Sequence, residues 1–117
     1  MNQSQTLPQE QDSEHLINNI KIAITVVYDR LEADISTDKL NKITADVYSE
    51  FKILDSDLII TALRNGSLGK YGKTYKLNVQ EICIWIREHL KSDEVHSTLT
   101  LSQKKQFPKQ KHKEDRL

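Results

Sequence analysis

The chain has 117 residues, too few for more than one domain, with 37% hydrophobic and 29% charged content typical of a packed soluble protein. Seventeen basic and 17 acidic side chains cancel, which excludes a strongly basic nucleic-acid coat, although the charge is distributed unevenly. The single cysteine excludes a disulfide framework and a thiolate zinc cluster, no apolar run approaches a membrane span, and the N-terminus lacks the features of a signal peptide, so the expected location is the cytoplasm.

Residues 1–13 are dominated by Gln, Ser and Asn and read as a flexible lead. From Glu14 to about Glu32, Leu16, Ile20, Ala23, Val27 and Leu31 recur at spacings of three and four, with Ile17, Ile24 and Tyr28 widening the stripe. That periodicity predicts a long, well-buried helix despite the β-branched run Ile24-Thr25-Val26-Val27. The stripe is also wide enough to accept a partner, so the oligomeric state is left open.

Ser36 or Thr37 can cap a second helix with Leu40, Ile43, Val47, Phe51 and Leu54 on its inner face. Asp55 is the natural N-cap of a third, with Asp57 in its first turn and Leu58, Ile59, Ala62 and Leu63 inward. Asn65-Gly66 reads as its stop. A fourth helix is expected from Asn78, with Glu81 in capping-box position and Val79, Ile82, Cys83, Ile86 and Leu90 on its apolar face. Cys83 is expected to be a small core residue, and Trp85, off that stripe, to be either core or partner surface. Residues 92–117 lose periodicity, are rich in Lys, and read as a disordered basic tail. The expected fold class is therefore all-α: a small bundle of about four helices over residues 14–91, with flexible termini and a Gly- and Lys-rich connector before the last helix.

That connector, NGSLGKYGKT at residues 65–74, holds all three glycines and ends in Gly72-Lys73-Thr74. A phosphate-binding loop would space its glycines one residue closer, follow a strand and open a helix at its Lys-Thr, and none of these conditions is met. One alternative is an irregular crossing in which the glycines take positive φ while Tyr71 and Tyr75 pack on the core. The other is a nucleic-acid contact made by Lys70, Lys73 and Lys76, with Tyr71 and Tyr75 stacking on bases. A variant of the second makes helices two and three a helix-turn-helix, the connector a short hairpin wing, and Arg64 a further DNA contact. Helix three offers few polar side chains for reading base edges. The four histidines, His15, His89, His96 and His112, are scattered, so neither a metal site, a cofactor nor a catalytic pair is expected.

The run Leu58–Leu90, in which spaced glycines and tyrosines lead into a helix carrying Ile82, Trp85 and Ile86, resembles a pattern in small replication proteins of phages and mobile elements. Chain length, helical domain and polar tail are similar to the phage helicase-loader and inhibitor family. The resemblance implies a non-enzymatic adaptor that binds the replicative helicase or another replication protein. It further implies contacts from the tail, with Leu99, Leu101 and Phe107 as apolar anchors among Lys104, Lys105 and Lys109.

Overall fold

A computed structural model describes residues 8–109, with side chains from Ser13 onward. Its described residues form six helices and no strand: α1 Pro8–Arg30, α2 Thr37–Phe51, α3 Ser56–Ser67, α4 Val79–Lys91, α5 Asp93–Ser97 and α6 Leu101–Gln106. The all-α bundle expected from periodicity is the fold observed.

The first helix begins at Pro8 rather than Glu14, so residues 8–13 of the expected lead are helical. Proline at the first helical position loses no hydrogen bond there and has its φ already set for the helix. Helix propensity in the following Gln and Glu residues, not an apolar stripe, carries this turn. The Tyr48 hydroxyl donates to Ser13 Oγ at 3.1 Å and ties the turn to α2. At its other end α1 closes with Ala33 N donating to Tyr28 O at 2.8 Å and Glu32 in the left-handed region at φ 57°.

Helix α1 is the central element, with α2 and α3 both packed along it. Helix α4 closes the bundle against α3 and, less extensively, α2. Ile20, Ile24 and Val27 of α1 meet Ile43, Val47 and Phe51 of α2, Ile59, Ala62 and Leu63 of α3, and Ile82, Trp85, Ile86 and Leu90 of α4 in one core. Trp85 is only 1% exposed, which assigns it to the core, whereas Cys83 is half-buried at the edge of the stripe. Caps set the helix starts much as the sequence suggests. Ser36 accepts from Lys39 N at 3.1 Å and Asn78 accepts from Glu81 N at 3.0 Å. Asp55 occupies the N-cap position of α3 without making a side-chain cap bond.

Residues 92–109 depart from the expected disordered tail. Ser92 caps α5 by accepting from Val95 N, and Thr100 and Gln103 form a reciprocal capping box at α6. Leu99 is buried, Phe107 stacks on Phe51 with centroids 5.5 Å apart, and Gln103 Nε2 donates to Ile53 O at 2.8 Å. The ammonium of Lys109 pairs with Asp93 and holds that carboxyl below its ordinary range, chiefly by direct hydrogen bonding. This C-terminal arm is thus docked across the α2–α4 face of the bundle. Residues 110–117 lie outside the described residues.

Candidate nucleic-acid interface at the glycine connector

The connector is built by three glycines with two different jobs. Gly66 is not a stop: α3 runs on to Ser67, and Gly66 is buried inside it. A Cβ at residue 66 would lie 1.9 Å from Trp85 Cδ2, so the missing side chain lets α3 and α4 cross at the indole face. The actual stop is Gly69, at φ 85°, where Gly69 N donates to Gly66 O and Lys70 N donates to Asn65 O, each at 3.0 Å. That pair of bonds is the double closure of a Schellman motif. Gly72, at φ 111°, makes the next reversal, with its N–H donating to Gly69 O at 3.1 Å.

These turns leave the two tyrosines in opposite environments. Tyr71 is half-buried; its hydroxyl accepts from Asn65 Nδ2 at 3.2 Å and lies 3.2 Å from His89 Nδ1. The phenol oxygen accepts from Asn65, and the direction of its bond with His89 follows the tautomer of the imidazole. Burial favours the neutral imidazole by lowering the His89 pKa below its ordinary value. Of the two readings of Tyr75, packing on the core does not hold: the ring is 88% exposed, with Lys73 Nζ 5.7 Å from its centroid. Downstream, Leu77 is half-buried and its carbonyl accepts from the Tyr28 hydroxyl at 3.5 Å.

Lys70, Lys73 and Lys76 are all exposed, and among the described residues no acid pairs with any of them. The sequence carries no Asp or Glu between Asp57 and Glu81 that could screen them at short range. The result is a backbone pinned at Gly69, Tyr71 and Leu77 that presents three ammonium groups and one open aromatic face. Such a set offers phosphate contacts and a stacking platform without base-edge readout.

Arg64 does not belong to this set. It stands on α3 and lines a groove shared with α1, beside Ile60 and Arg30. The hairpin wing is likewise absent among the described residues, because the positive-φ turns at Gly69 and Gly72 replace a strand ladder. Gly72-Lys73-Thr74 follows a helix and ends four residues before Asn78 caps α4, so no phosphate-cradling helix N-terminus adjoins it.

The expected tail anchors are mostly consumed. Leu99 and Phe107 are built into the arm's contact with the bundle, and Lys109 is paired with Asp93. Leu101, 83% exposed, remains open beside the half-buried Lys104 and the exposed Lys105. The thiol of Cys83 is pushed up by burial, only partly offset by the Arg87 guanidinium, and is therefore a poor nucleophile at neutral pH. Among the described residues no three His, Cys, Asp or Glu side chains gather to hold a metal, and no helix is long and apolar enough to cross a membrane. His112 lies outside the described residues.

Sequence reasoning missed the steric role of Gly66, whose partner Trp85 is remote in the chain, and the His89–Tyr71–Asn65 chain of hydrogen bonds. It also missed the arm, although Val95, Leu99, Gln103 and Phe107 recur every four residues and Thr100-Leu-Ser-Gln103 spells a capping box. Compared with protein-family models, with curated proteins and with solved structures, the chain finds no match.

Proposed function

We propose that the protein is a non-enzymatic accessory module that grips single-stranded nucleic acid through Lys70, Lys73, Tyr75 and Lys76. The observation that carries this reading is the exposed Tyr75 ring beside Lys73, on a connector whose backbone is fixed by Gly69 and by the Tyr71 anchor. A rigid loop loses little entropy on binding, so few contacts suffice for measurable affinity. The ammonium groups meet phosphates, the phenol stacks on a base, and neither contact discriminates strongly among sequences. The resemblance of Leu58–Leu90 to replication proteins of mobile elements supplies the context, DNA replication in the host cytoplasm.

Fluorescence anisotropy with a short labelled single strand tests this reading. Tyr75→Ala is expected to weaken binding about tenfold, the loss of one stacked base at roughly 1–3 kcal/mol. Lys73→Ala with Lys76→Ala weakens it further and equally for different sequences. Binding unchanged in all these variants would contradict the proposal.

A second reading, an adaptor for the replicative helicase or another replication protein, is favoured by the exposed Leu101 with Lys104 and Lys105 on α6. It predicts that nuclease-treated host lysate yields a helicase to the full chain but not to Leu101→Asp. Equal capture by both would remove α6 from the contact.

A further inference from the structure

Helices α1 and α3 run parallel. Asn19 Nδ2 reaches Ser56 Oγ at 3.4 Å near the start of α3, and Arg30 Nη1 donates to Ser67 Oγ at 2.7 Å at its end. Between them lies an open apolar groove with Ala23, Val27 and Leu63 in its walls. Its rim is formed by Ile22, 55% exposed, Val26, 43% exposed, and Ile60, 36% exposed. Three clustered aliphatic side chains left in water on one face differ from singly scattered ones, because together they offer a contiguous surface for burial.

The charges along this groove are ordered. Asp57, Ile60 and Arg64 stand on one face of α3 at helical spacing, all exposed, and among the described residues neither Asp57 nor Arg64 has an ion-pair partner. Arg30 adds a second cation at the Arg64 end. Ile60 falls almost midway between Asp57 and Arg64, so the pattern is complementary to itself when reversed.

We propose that this groove receives a second copy of the chain in an antiparallel two-fold dimer. The axis passes close to Ile60. Asp57 of each copy then faces the partner's Arg64, and Ile22, Val26 and Ile60 of the two copies bury one another. A two-fold interface requires a surface that is its own complement, and the acid-aliphatic-base order along α3 supplies one. The groove is short for a permanent dimer, so association is weak and reversible. The antiparallel arrangement sends the two glycine connectors to opposite ends of the pair. This inference is independent of what the connector binds.

Sedimentation equilibrium on the full chain at low salt is the test, with circular dichroism confirming that each variant stays helical. The wild type is expected to dimerise at micromolar to submillimolar concentration, and Ile60→Asp to remain monomeric. Asp57→Arg and Arg64→Asp each place like charges together twice per dimer and weaken association about tenfold or more. The double variant D57R/R64D restores the pairing in reversed sense and returns to within a few-fold of wild type. A wild type that stays monomeric throughout, or a double variant no tighter than its single parents, would overturn the proposal.

Discussion

A methyl group at residue 66 is the smallest change that should disrupt the crossing of α3 and α4. The Cβ of Gly66→Ala would fall 1.9 Å from Trp85 Cδ2, and the indole, buried on all sides, has no free space to yield. Overpacking of this kind costs about 3 kcal/mol, at the upper end of its usual range. Gly69→Ala meets no atom within 4 Å and carries only the strain of φ 85°, about 1 kcal/mol. Chemical denaturation of the two variants should therefore rank Gly66→Ala as clearly the more damaging, and equal losses would contradict the steric account. The sequence shows three glycines in one loop but not which needs its conformation and which needs its size. His89 makes a further prediction at this scale. Its folded pKa lies below 6.5 because burial disfavours the imidazolium, so the unfolded chain binds the proton more readily. Stability is fully present above pH 6.5, falls as pH drops from there toward the folded pKa, and levels off below it. Denaturation midpoints followed across that window should show the decline, and His89→Gln should flatten it.

Among the elements, the C-terminal arm shows most clearly how a polar sequence is held in place. Helices α5 and α6, five and six residues long, are too short to persist alone. They form because side chains cap both starts and because Leu99, Gln103 and Phe107 find partners on the bundle. Phe107→Ala removes a half-buried ring from Phe51 and should cost about 1–2 kcal/mol of stability. It should also raise amide exchange in residues 93–106 more than in α1. If exchange rose uniformly, the arm would not be a separately held unit. The four main helices were readable because their apolar stripes are long and regular. The arm was not, because a glutamine occupies the buried position between Leu99 and Phe107, and its satisfaction depends on the carbonyl of Ile53, which no local pattern reveals.

At the scale of the whole molecule, zero net charge conceals an uneven distribution of charge along the chain. Lys70, Lys73 and Lys76 lie in an acid-free stretch, and the acids concentrate on other parts of the chain. The candidate site was legible in part: the lysines and Tyr75 could be named from composition and spacing alone. The inward turn of Tyr71 and the removal of Arg64 to the α1–α3 groove depend on where α3 and α4 cross, which the sequence does not display. The measurement that bears most directly on the central claim is the affinity of the full chain for a single-stranded oligonucleotide as salt is varied. With three lysines on phosphates, the logarithm of the binding constant should fall against the logarithm of salt with a slope of about −2. No binding at low salt, or an affinity indifferent to salt, would contradict the account.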